Sequence, residues 1–169
     1  MRTMRVIFLD VDGVLNTKEN CSVKHGPFYG IEDNLLANFK ILYNKSNIEE
    51  ETRVVISSSW RKSLLNWNYN DYGLYNYLVE KLLKENIPIL DVTPQDRSYH
   101  SQKGREIFRW LVLHEGIYNI TNYLILDDEE CDYRNYGDWN EHFLKIDGDV
   151  GFTEDCIDKA LGIFHGQRY

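Results

Sequence analysis

The chain has 169 residues, of which 43% are hydrophobic, 27% are charged and only three are proline. That fits one domain, spanning 1–169, with a sizeable core, and argues against disorder. Nineteen Lys and Arg against 27 Asp and Glu give a net charge of −8, which excludes a generally basic nucleic-acid-coating protein and disfavours adhesion to anionic membranes, while leaving room for a local basic site. No stretch approaches the roughly 18 apolar residues of a transmembrane helix. The N-terminal apolar run is short and stops at Asp10 with no small-residue cleavage site, so a cytoplasmic location is expected. Cys21, Cys131 and Cys156 form no CxxC pair, so neither a zinc site nor a disulfide framework is expected.

In chain order, residues 5–11 (RVIFLDV) are the first apolar, β-prone run. Leu35, Leu36, Phe39 and Leu42 follow at helical spacing, after Asp33 as a candidate cap. Residues 53–57 (RVVIS) are a second strand. Leu74, Leu78 and Leu82 mark a second helix that closes near Asn86 and Pro88. Residues 87–92 (IPILDV) are a third strand, and Ile107, Leu111 and His114 mark a third helix ending near Gly116. Residues 123–126 (YLIL) and 142–146 (HFLKI) are two more strands. The last helix carries Ile157, Leu161 and Phe164, with Thr153 at its N-cap, Glu154 and Asp155 in its first turn and Gly166 past its end.

The runs at 5–11, 53–57 and 123–126 are nearly all apolar, which suits strands buried on both faces. The alternation predicts an α/β fold: a single doubly wound, Rossmann-like parallel sheet of about five strands with helices on both faces. In such sheets the site lies beyond the carboxyl ends of the strands, so the residues just after each run are the informative ones.

After the first run comes Asp10-Val11-Asp12-Gly13-Val14-Leu15-Asn16. Strand alternation predicts that Asp10 and Asp12 share one side. Two such charges about 4 Å apart cost roughly 4 kcal/mol at an effective dielectric of about 20, a penalty that a bound divalent cation removes. Gly13 lets the backbone turn sharply. After the second run, Ser57-Ser58-Ser59-Trp60-Arg61-Lys62 offers three hydroxyls and two cations to an anion. After the fourth, Asp127-Asp128-Glu129-Glu130-Cys131-Asp132 is a second signal for a hard cation. Gln102-Lys103-Gly104-Arg105 adds a cation ahead of the third helix. Each segment alone is also ordinary turn, loop or surface chemistry. Their recurrence in order, at ends that share one crevice, is the stronger signal.

These residues resemble the motifs of the haloacid dehalogenase (HAD) superfamily of phosphotransferases. Asp10 to Asn16 is similar to its first motif, DxDG; Val54-Val55-Ile56-Ser57-Ser58 resembles the second, Lys103 the third, and Leu124-Ile125-Leu126-Asp127-Asp128 the fourth. More narrowly, DGVLN, SSSWR, KGREIFRWL, LILDD and a final GFTEDC segment are similar to the compact HAD domains associated with nucleic-acid end repair. Ser58 is favoured over Ser57 for the second motif, Arg105 is the alternative to Lys103, and the second fourth-motif acid is Asp128 or Asp132.

The resemblance implies a Mg²⁺-dependent phosphomonoester hydrolase working through an aspartyl-phosphate. Asp10 would be the nucleophile and Asp12 the general acid and base. Mg²⁺ would be held by Asp10, the Asp12 backbone carbonyl and Asp127, with Asp128 beside them. Ser58, Ser57 and Lys103 would bind phosphate oxygens. The stretches at 17–32 and 59–72 are too short for a large cap domain, so the resemblance implies an open site. Trp60 and Arg61, with Trp67 and Tyr69, and with His25, Phe28 and Tyr29 from the first stretch, are expected to flank its entrance or simply to pack. The implied partner is a phosphorylated substrate, a nucleotide or a nucleic-acid end. The alternatives are a small-molecule phosphatase of the same superfamily, a catalytically dead HAD-like binding module, and a receiver-type signalling domain.

Overall fold

The computed structural model describes residues 3–21, 24–25, 28–61, 72–95 and 102–167, with the side chains of 24, 25, 28, 29 and 72 left aside. Lys62, Trp67 and Tyr69, and the side chains of His25, Phe28 and Tyr29, therefore lie outside the described residues.

Eleven strands and α-helices follow in chain order among the described residues. They are β1 (Thr3–Leu9), β2 (Lys24–His25), β3 (Phe28–Tyr29), α1 (Asp33–Glu49), β4 (Thr52–Ile56), α2 (Tyr72–Lys84), β5 (Ile89–Val92), α3 (Lys103–His114), β6 (Asn119–Asp127), β7 (Phe143–Lys145) and α4 (Glu154–Phe164). Five strands form one sheet in the order β5-β4-β1-β6-β7. Every neighbouring pair in it is parallel. This is the doubly wound order, with the chain reversing direction across the sheet between β1 and β6. The expected fold class is therefore the observed one.

Alternation along the strands sorts the core into two layers. Ile7 and Leu9 of β1, Val54 and Ile56 of β4, and Leu124 and Leu126 of β6 face one layer, with Phe39 of α1, Leu78 of α2 and Ile157 of α4. Val6, Phe8, Val55 and Ile125 face the other, with Ile107 and Trp110 of α3. Both layers are closed by edge-to-face aromatic pairs, Phe39 with Phe152 at 6.2 Å and Phe8 with Trp110 at 5.4 Å. Each fully buried Leu, Ile or Phe contributes about 1.5–3 kcal/mol, which is why near-continuous apolar runs become the central strands.

Local details differ from the sequence expectations. Asp33 is the first residue of α1 rather than its cap, which is Glu32 with extended backbone. Thr153 occupies the N-cap of α4 as expected, but its side chain makes no capping bond. The β2–β3 hairpin was not foreseen; it is too short to carry any period-2 pattern. Among the described residues it is the only regular element between β1 and α1, which fits the expected lack of a large cap domain.

Candidate active site

The reversal point brings the carboxyl ends of β1 and β6 side by side, with Leu9 paired to Leu126. Asp10 continues the ladder, its N–H donating to the Leu126 carbonyl at 3.0 Å. Asp127 is the last residue of β6. Carboxylate oxygens of Asp10, Asp127 and Asp128 all lie within 4.8 Å of one another. Asp10 and Asp127 are buried.

Lys103, the first residue of α3, reaches into this cluster. Its ammonium donates to Asp10 Oδ2 and to Asp127 Oδ2, both at 2.7 Å. Tyr133 donates its hydroxyl to Asp127 Oδ2 at 2.8 Å, and the Glu129 N–H donates to Asp127 Oδ1 at 2.9 Å. Burial lowers the pKa of the Lys103 ammonium, but Asp10 and Asp127 outweigh it and hold it above the usual lysine range. Burial, then repulsion from Asp10, pushes Asp127 up to about 7 against the pull of Lys103. Asp128 is raised by the same two causes, burial first.

Three carboxylates around one ammonium are thus short of positive charge. The donor set is all hard oxygen in a small volume, which is what Mg²⁺ takes. The raised Asp127 and Asp128 show what a divalent cation would relieve, so the residues fit that ion.

Asp12 follows the end of β1 at Leu9, and its carboxylate stays within electrostatic reach of Asp10 and Lys103. Gly13 adopts φ +78° and turns the chain. A Cβ there would sit 2.5 Å from Asp128 Cγ, so this position needs glycine for both its conformation and its space. The Asp12 carboxylate stands outside the three-acid cluster among the described residues. Its Oδ1 accepts from Asn16 Nδ2 at 3.0 Å and its Oδ2 from Trp60 Nε1 at 2.9 Å. Burial raises its pKa, and these two hydrogen bonds hold the rise back.

Ser57 and Ser58 follow β4, and both are fully buried. Ser58 Oγ accepts from the Trp60 N–H at 3.3 Å, leaving its own proton for a ligand. Ser57 Oγ is buried with no hydrogen-bond partner among the described residues, the condition of a hydroxyl that awaits one.

Two alternatives from the sequence now separate. Asp132 accepts from the Gly104 and Arg105 N–H groups at 2.7 and 3.3 Å, so it caps the start of α3 and is not part of the acid cluster. Arg105 is exposed and donates to Gln102 Oε1, whereas Lys103 enters the cluster. Glu130 pairs with Arg134 at the surface.

The expectation that Trp60 and Arg61 flank an entrance is corrected. Trp60 is 3% exposed and Arg61 2%. The Arg61 guanidinium donates to the carbonyls of Thr93 at 3.0 Å, Ser57 at 2.7 Å and Ser58 at 2.6 Å, and it pairs with Glu106 of α3. Its five N–H groups match the carbonyls that the ends of β4 and β5 leave over. It ties the serine loop to the helix that carries Lys103. Sequence reasoning missed Glu106, Tyr133 and the hydrogen-bonding role of Asn16. Only Asn16, inside the first motif, carried a signal that could have found it.

An acidic cluster at the reversal point of a doubly wound sheet, with one lysine reaching into it from a following helix, is the arrangement expected of the HAD superfamily. Residues 6–157 match the family described as HAD domain in Swiss Army Knife RNA repair proteins, and the chain belongs to that family. No curated protein and no solved structure matches it.

Proposed function

We propose that this protein is a Mg²⁺-dependent phosphomonoester hydrolase that works through an aspartyl-phosphate on Asp10, with a nucleotide or nucleic-acid phosphate end as substrate. The observation that carries this reading is the buried Asp10–Lys103–Asp127 contact with Asp128 beside it. The matched family's association with RNA repair supports the nucleic-acid substrate.

An Asp10 carboxylate oxygen attacks phosphorus, and the bond from phosphorus to the leaving oxygen breaks. Asp12 gives its proton to that oxygen. Water then attacks phosphorus as Asp12 takes a proton from it, the Asp10–phosphate bond breaks, and inorganic phosphate leaves. Lys103, with the hydroxyls of Ser58 and Ser57, binds the non-bridging oxygens and stabilises their charge in the transition state. Bound at Asp10, Asp127, Asp128 and the Asp12 carbonyl, Mg²⁺ would offset the charge that otherwise keeps an anionic nucleophile from an anionic phosphate.

A small-molecule phosphatase is the second reading. The burial of Trp60 and Arg61 favours it, because it takes an aromatic and a cation away from the entrance, in a chain of net charge −8. The test is phosphate release with Mg²⁺ and with EDTA from an aryl phosphate, a mononucleotide, and 5′- and 3′-phosphorylated oligonucleotides. Release that needs Mg²⁺ and is fastest on one oligonucleotide end is expected. Equal or faster release from the mononucleotide would move the substrate to small molecules, and none from any ester would overturn the enzyme.

Among the described residues no helix is long and apolar enough to cross a membrane.

A further inference from the structure

We propose that Trp60 and Asn16 form a two-donor clamp that positions the Asp12 carboxylate for proton exchange with the leaving oxygen and with water. The inference rests on the phosphatase mechanism above and adds to it two residues that act through Asp12.

The geometry is fully specified. The indole N–H is a donor only, and it donates to Asp12 Oδ2 at 2.9 Å. The Asn16 side-chain oxygen accepts the Gly13 N–H at 3.0 Å, so its amide nitrogen is the end that faces Asp12 Oδ1, at 3.0 Å. One donor on each oxygen fixes the plane of the carboxylate. A carboxylate has about four acceptor positions, so one on each oxygen remains for the proton that moves. Both donors are themselves held. Asn16 is 0% exposed and Trp60 3%. The Trp60 ring packs on Tyr77 of α2, with centroids 6.4 Å apart.

A buried indole needs some acceptor, and a backbone carbonyl would serve for stability. Here the acceptor is the one carboxylate of the first motif that stands outside the acid cluster. Asp10 is fixed by Lys103 and by the sheet. Among the described residues Asp12 has no cation within salt-bridge distance, and neutral donors do the same task. A group held in a productive pose avoids the entropy of finding it in each turnover.

The clamp acts only where a proton must move. A leaving group that departs readily as an anion gains little from the acid, and a poor one depends on it. The experiment measures kcat/KM for a series of aryl phosphates of graded leaving-group acidity, from 4-nitrophenyl to phenyl phosphate, with Mg²⁺ present. Wild type is compared with Trp60→Phe and Asn16→Ala, with circular dichroism and melting temperature read for each variant. Asn16→Ala leaves the Trp60 packing in place, so it carries the test if Trp60→Phe fails to fold.

The clamp gives a steeper dependence on leaving-group pKa in the variants. Phenyl phosphate loses about tenfold or more, and 4-nitrophenyl phosphate less than about twofold. A folded variant whose line runs parallel to that of wild type, whether lower or superimposed, overturns the inference and leaves the phosphatase reading standing. A folded wild type that hydrolyses no ester overturns both.

Discussion

Leu126 and Asp127 are consecutive in β6 and equally buried, each 0% exposed, yet they belong to opposite kinds of region. Leu126 sits in an apolar layer where every neighbour favours burial. Asp127 sits in a cluster where burial and Asp10 both work against its charge. One step along the strand, the sheet changes from a place where sequence and stability agree to one where they conflict. Conflicts of this kind mark where a fold carries chemistry.

The largest effect that breaks the comparison is on turnover. Asp10→Asn should keep the fold and lower phosphate release by at least about a thousandfold, read by phosphate assay beside circular dichroism. Next comes Arg61→Ala. It removes the cation that pairs with buried Glu106 and the donor shared by the carbonyls of Ser57, Ser58 and Thr93. A loss of about 3–5 kcal/mol in urea unfolding is expected, as large as a truncation in the core. Lys103→Met sharpens the contrast. In EDTA it should cost about 3 kcal/mol, because Asp10 and Asp127 lose the ammonium that bonds them both. Mg²⁺ should raise its melting temperature by more than it raises that of wild type.

A smaller effect is the pH dependence of the metal-free protein. Asp127 is raised to about 7 in the folded state, so between about pH 4 and 7 the native chain holds a proton that the unfolded chain has lost. Stability from this group is complete below the unfolded value near 4 and is lost as pH rises from there through about 7, at no more than about 1.4 kcal/mol per pH unit. Saturating Mg²⁺ should flatten that slope in thermal melts. The smallest effect is at the surface. Lys81 pairs with Asp33 at 2.8 Å, but Asp33 is 87% exposed, so Lys81→Ala should change stability by less than about 1 kcal/mol.

The same contrast decides how much was legible in the sequence. The strands at 5–11, 53–57 and 123–126 could be read because a run buried on both faces is nearly all apolar. The sheet order then placed the acids after the first and fourth runs in one crevice. What could not be read was where a polar side chain points after its strand ends. Asp12 turned its carboxylate to Asn16 and Trp60, and Asp132 turned to cap α3. Arg61 looks like a surface residue by type, and Trp60 beside it could either pack or stack at an entrance. Their burial depends on acceptors from Asp12, Thr93 and Glu106, which are distant in sequence. Tyr133 had no motif to announce it.

The most direct test of the central claim is to quench a single turnover of a phosphate-labelled ester and map the label by peptide mass spectrometry. An aspartyl-phosphate route puts a hydroxylamine-sensitive phosphate on the peptide containing Asp10, and none on Asp10→Asn. Turnover with no labelled peptide, continuing in Asp10→Asn, would mean that water attacks phosphorus directly and that Asp10 is not the nucleophile.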